Sequence, residues 1–139
     1  MSRKPSPSTL AYRERRDEAQ RAARELYGPR ADPLVAEDLA DDALCRGLAA
    51  YVDRYRRQHK RGPRWAELGE QARPDVVDDL GAAADELGHL APRVYAELLC
   101  QALQRAGWIT TGQAAGSMRP GPRYTPPARP QRPRKPPAR

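Results

Sequence analysis

The sequence predicts a mainly α, single small domain with one short β-hairpin close to its C-terminal end and disordered termini. Three observations lead there. Apolar residues recur at helical spacing from about residue 9 to residue 106, cut into pieces by Gly-Pro and Asp-Pro pairs. One stretch only, "GWITTGQAAGSMR", combines aromatic and β-branched residues with a glycine-bounded turn. Both ends are rich in Pro and basic residues and offer nothing to bury. With 139 residues, 39% hydrophobic, 15 prolines and no Phe, the chain has room for one small domain plus tails, and the core is expected within roughly residues 10–120.

Residues 1–8 are Pro, Ser and basic, and disorder is expected there. From Thr9, "LAYRERRDEAQRAARELY" is dense in helix formers, and Gly28-Pro29 supplies an exit, which sets an N-terminal helix at 9–28. Its face of Ala19, Ala22, Ala23, Leu26 and Tyr27 is thin, so it needs a partner surface, either elsewhere in the chain or on a second copy in a homodimer. Asp32-Pro33 then opens a domain at 32–124. Leu34, Val35 and Leu39 form a first stripe, and the acidic "EDLADD" is a candidate break. Leu44, Leu48, Val52 and Tyr55 follow on one helical stripe to about His59, ended by Gly62-Pro63. "PRWAELGEQA" is a short helix, with Trp65 and Trp108 read as core anchors.

"RPDVVDDLGAAADELGHLAP" reads as a weaker, acidic helix at 75–86, a surface for a basic protein partner. After Pro92, the residues Val94, Tyr95, Leu98, Leu99, Leu103 and Ala106 make a well-formed stripe ending at Gly107. "WITT" and "SMR" are the arms of the hairpin, with Pro120 and Pro122 confining any return strand to an edge. Residues 120–139, eight of which are Pro, form an Arg/Pro-rich tail without packed structure.

The net charge of +7 is placed unevenly. Eight of the 25 Lys and Arg follow Glu97 with no acidic residue among them, which leaves 17 basic and 18 acidic groups in residues 1–97. A polyanion, most often nucleic acid, is the partner such asymmetry suits; a solubilising tail is the competing reading.

The order of helix, short strand, glycine turn and basic return strand resembles the recognition helix and wing of winged helix-turn-helix DNA-binding domains. "LAAYVDRYRRQHKRGPRWAELGEQA" is similar to the start of the N-terminal DNA-binding domain of LexA-like repressors, with its basic Gly-Pro turn and "ELGE" pattern. "LLCQALQRAGWITTG" looks like the end of a recognition helix entering a wing. The likeness spans residues 43–124 and departs from the family in the acidic segment placed between the short helix and the recognition helix. It implies a winged-helix-like domain and a transcriptional regulator of bacterial or phage origin that reads duplex DNA.

The residues themselves carry the same chemistry. The polar face of helix 92–106 offers Arg93, Glu97, Gln101 and Gln104, with Cys100 and Arg105 nearer its edge. Arg can bridge guanine O6 and N7, Gln can pair with adenine, and Glu can accept from cytosine. Arg119 and Arg123 on the wing, and Arg61 and Arg64 with Arg54, Arg57 and Lys60 around the Gly62 turn, are placed to hold backbone phosphates. An ordinary solvated helix face is the competing reading.

Enzymatic chemistry is not expected. His59, His89, Cys45 and Cys100 lack the spacing of metal-ligand pairs, so no metal or cofactor is expected. The cysteines read as buried and reduced. The pairs Asp41-Asp42 and Asp78-Asp79 read as solvated acids, and no phosphate-cradling glycine motif is present. Neither a membrane span nor a secretory signal is found, which points to a cytoplasmic, nucleoid-associated protein. Two other classes fit the same sequence. One is a protein-interaction adaptor using the acidic helix and a proline-rich docking tail; the other is a DNA-packaging or replication accessory protein.

Overall fold

The computed structural model describes residues 6–75, 90–112 and 114–126. Its order is α1 (Pro7–Ala40), α2 (Asp42–His59), α3 (Trp65–Ala72), α4 (Ala91–Ala106), β1 (Ile109–Thr110) and β2 (Arg119–Pro120). The described residues are thus mainly helical with a two-stranded antiparallel sheet.

Helix α1 corrects the sequence reading at both ends. It begins at Pro7, capped by the Ser6 hydroxyl accepting from Thr9 N–H at 3.2 Å, so residues 6–8 belong to the helix and not to a disordered leader. It then runs without interruption through Gly28, Pro29 and Pro33 to Ala40, so neither the exit at 28 nor the domain start at 32 exists. The physical reason lies in position. Proline lacks an N–H, which leaves the carbonyls of Glu25 and Pro29 without their helical bonds. Residues 25, 29 and 33 lie on the exposed side of α1, where water can serve those carbonyls. On the opposite side Ala23, Tyr27, Ala31, Val35 and Asp38 are buried, and this packing holds the helix together across the prolines.

The expected break in "EDLADD" falls at Asp41. This residue ends α1, its N–H donating to the Asp38 carbonyl at 3.1 Å, and starts α2, its carboxylate accepting from Leu44 N–H at 3.1 Å. Asp is suited to both jobs, since its short side chain satisfies an orphan amide. Cys45, Leu48, Ala49 and Val52 form the buried stripe of α2, and Lys60 at φ 61° closes it.

α3 and α4 pack closely. A Cβ on Gly69 would lie 2.8 Å from that of Ala96, so glycine permits this approach. The stripe of α4 buries Val94, Tyr95, Leu99, Cys100 and Leu103, with Leu98 and Ala106 partly covered. Each large apolar side chain so enclosed is worth about 1.5–3 kcal/mol before entropy is counted. Gly107 at φ 88° ends α4; its own N–H bonds Gln104 O at 3.1 Å and Trp108 N–H bonds Leu103 O at 2.9 Å, a Schellman cap.

The hairpin pairs Ile109 with Pro120 and Thr110 with Arg119. It is shorter than the expected strands, and its return arm is shifted beyond "SMR". Pro120 cannot donate, and the next residue supplies the bond instead: Gly121 N–H donates to Trp108 O at 2.7 Å. Arg123 N–H follows with Gly107 O at 2.9 Å, and Tyr124 is buried. Residues 120–124 therefore close the domain and are not part of an unpacked tail, Thr125 and Pro126 are exposed, and the remainder of that tail, 127–139, lies outside the described residues. So does nearly all of the expected acidic helix at 75–86.

Trp108 is an anchor, 2% exposed among core residues, whereas Trp65 is 36% exposed, which corrects its reading as a core residue. Both cysteines are free and buried, with burial pushing the Cys100 thiol up to about 12. No helix among the described residues is long and apolar enough to cross a membrane.

Candidate nucleic-acid interface

With α4 fixed through its buried stripe, the surface it leaves free is decided by α1. Asp38 bonds Tyr95, while Gln20 and Arg24 reach Glu97. Residues 24 and 38 lie roughly 21 Å apart along α1 at 1.5 Å per residue, yet they meet α4 positions only two apart. α1 therefore lies across α4.

This crossing divides the candidate readers. Arg93, Gln101, Gln104 and Arg105 are exposed, and at 100° per residue they occupy an arc of roughly 120°. Glu97 falls inside that arc but is turned to α1: Arg24 donates to it at 2.6 Å and Gln20 at 3.4 Å, and Gln101 on the next turn of α4 donates to it at 3.5 Å. It serves the α1–α4 junction, not a free base-reading position. Cys100, expected near the open edge, is fully buried.

The wing is tied to α2 and to the loop that follows it. The Arg56 guanidinium donates to the carbonyls of Gly116 at 3.1 Å and Met118 at 3.0 Å. Gly62 N–H donates to Gly116 O at 2.8 Å, and a Cβ on Gly62 would fall 2.2 Å from Met118 O, so the 61–63 segment runs directly against the hairpin. Within the turn, the Ser117 hydroxyl accepts from Gly112 N–H at 2.9 Å.

Of the expected wing cations, Arg119 is exposed on β2. Arg123 is differently engaged: its guanidinium stands 4.7 Å from the centre of the Trp108 ring and 3.8 Å from Asp42, so it covers the core while its side chain stays half exposed. Arg61 lies over Tyr55 at 5.5 Å, beside a Tyr51–Tyr55–His59 series on α2. Arg57 pairs with Asp53 at 2.6 Å. Arg64 is exposed and opens, with Trp65, Arg16, Arg24 and Arg93, onto a groove of about 520 Å³.

The junction holding these pieces together escaped the sequence reading. Asp38 is 1% exposed; its carboxylate accepts from Arg73 Nε at 2.6 Å and from the Tyr95 hydroxyl at 2.5 Å. Arg73, adjoining the end of α3, also lies 3.6 Å from Glu37. A buried carboxylate must be paired and hydrogen-bonded to persist, and here one residue ties α1, α3 and α4. Burial first, and then the bond to Asp38, hold the Tyr95 hydroxyl well above its ordinary pKa. The bond to Asp38 likewise strengthens the charge on Arg73. The Cys45 thiol donates to the Asp38 carbonyl at 3.4 Å and is raised by burial and then by Asp42, Asp38 and Asp41. The available signal was Asp38 itself, three and seven residues after Val35 and Ala31, in phase with the buried stripe of α1.

Comparison with known protein families, with curated proteins and with solved structures finds no match for this chain.

Proposed function

We propose that the protein binds duplex DNA, entering the major groove with α4 and holding the backbone with the wing, as a nucleoid-associated transcriptional regulator. One observation carries this reading. α4, locked through Val94, Tyr95, Leu99 and Leu103, presents Arg93, Gln101, Gln104 and Arg105 on one exposed arc, and the hairpin that follows it carries an exposed Arg119. Arg and Gln are the side chains whose donors and acceptors match guanine and adenine edges in pairs. A rigid helix keeps those pairs in register, because loops would have to order before reading. The 61–63 segment beside the hairpin and the close α3–α4 packing support an arrangement similar to winged helix-turn-helix domains. The bound set is smaller than the sequence suggested, without Glu97.

The test is fluorescence anisotropy of the full chain against duplexes from its own upstream region and against scrambled duplexes, between about 50 and 200 mM salt. A preference for the native duplex is expected to survive the higher salt. Gln101→Ala with Gln104→Ala should lose about 1–3 kcal/mol of discrimination per bidentate pair removed. A double variant that discriminates as well as the parent overturns the assignment of α4 as reader.

A further inference from the structure

The groove beside Trp65 adjoins the α4 surface proposed to read DNA and shares Arg93 with it, but extends beyond it to α1 and α3. Its walls come from three elements far apart in sequence. Arg16 and Arg24 project from α1, Arg64 and Trp65 from the start of α3, and Arg93 from the start of α4. Two acids are present, Asp17 and Glu97, and Glu97 is already engaged by Arg24 at 2.6 Å. Arg16, Arg64 and Arg93 have no ion-pair partner among the described residues. Three unpaired arginines against the single unengaged carboxylate of Asp17 leave the groove with an excess of positive charge, a cost that an anion between them would reduce.

Trp65 adds a second observation. A tryptophan left 36% exposed, on a wall shared between this groove and the pocket under the wing turn, offers an apolar plate among cations. Alternating guanidinium groups and an aromatic face match a sugar-phosphate chain, whose anionic oxygens are separated by an apolar ring. Arg93 belongs both to the groove and to the exposed arc of α4, so a strand lying here continues from the duplex read by that helix.

We infer that the groove between α1 and the first turns of α3 and α4 seats the backbone of the bound duplex, with phosphates on Arg16 and Arg64 and a deoxyribose against Trp65, beside the Arg93 that α4 presents to the bases. This makes the projecting first half of α1 part of the DNA interface. The inference rests on the duplex-binding reading above, and adds to it a seat for the backbone that neither α4 nor the wing requires.

The experiment uses the full chain and the duplex it prefers. Acrylamide quenching of tryptophan fluorescence reports on Trp65, because Trp108 is enclosed at 2% exposure. Saturating duplex should shield Trp65 and lower its quenching. In parallel, Arg16→Ala and Arg64→Ala should each reduce the slope of log affinity against log salt by about 0.9 for every phosphate that the variant leaves unneutralised, with native sequence preference retained. Arg16 is exposed on a part of α1 that packs on nothing, so its substitution leaves folding intact. Anisotropy showing tight duplex binding, with Trp65 as quenchable as before and both slopes unchanged, overturns the groove while the α4 reading stands. Failure of every duplex to bind overturns that reading and the groove with it.

Discussion

The two halves of α1 are one continuous helix under opposite conditions. From Ala19 to Ala40 the helix buries a stripe, bonds Glu97 from Gln20 and Arg24, and sends Asp38 into the junction with Arg73 and Tyr95. From Pro7 to Glu18 every residue is exposed, including Leu10 and Tyr12. The difference separates what makes a helix from what locates it. Helix formers and the Ser6 cap suffice for local structure in the first half, while in the second half tertiary contacts carry the helix through two prolines that propensity alone would forbid.

That contrast can be broken most severely at Asp38. Asp38→Ala should cost about 3–5 kcal/mol, since it leaves Arg73 and the Tyr95 hydroxyl without their buried partner. Arg73 is 25% exposed and can recover some hydration, which places the value towards the lower end. Urea denaturation checks it, and a loss below about 1 kcal/mol would mean that the junction is not the clamp.

The helix that this half packs on, α4, should fail in alkali. Tyr95 and Cys100 have folded pKa values above their unfolded ones, near 10 and 9.0 respectively. The native state therefore holds their protons after the unfolded chain has released them. Their contribution is complete below the unfolded pKa and declines as pH rises through it, by about 1.4 kcal/mol per pH unit per group. For Cys100 the decline runs from 9.0 to about 12. Denaturation at a series of pH values should show this slope, and Cys100→Ala should flatten its onset near pH 9.

The smallest expected effect lies in the other half. Removing residues 1–17 should change unfolding free energy by less than about 0.5 kcal/mol, as for surface positions that touch nothing. Equality with the full chain in denaturation, together with weaker duplex binding, would mark the first half as functional and not structural. A large loss of stability would erase the contrast.

Much of this architecture was legible in the chain. The stripes of α2 and α4, the Gly107 cap, the Asp41 break and the existence of a hairpin follow from periodicity and turn chemistry, which act over a few residues. What was misread depends on distant partners. Gly28-Pro29 looks like an exit until Tyr27 and Ala31 are seen buried on the far side. Pro120 looks like the start of an unpacked tail until Gly121 and Arg123 are seen bonded to Trp108 and Gly107. Glu97 looks like a base reader until α1 crosses over it. Arg123 could be placed on the wing from the sequence, but not its stacking over Trp108. The exposed arc of α4 was half visible: its polar side can be drawn on a wheel, but which part of it α1 covers cannot.

The prolines inside α1 also act as geometry. Arg16 lies roughly 20 Å along the axis from Pro29 at 1.5 Å per residue, so a 10° change of bend at that joint would carry it sideways by about 3 Å. That is one hydrogen-bond length. Whatever bend Pro29 and Pro33 impose is therefore magnified at Arg16, so these two residues govern where the far end of α1 lies.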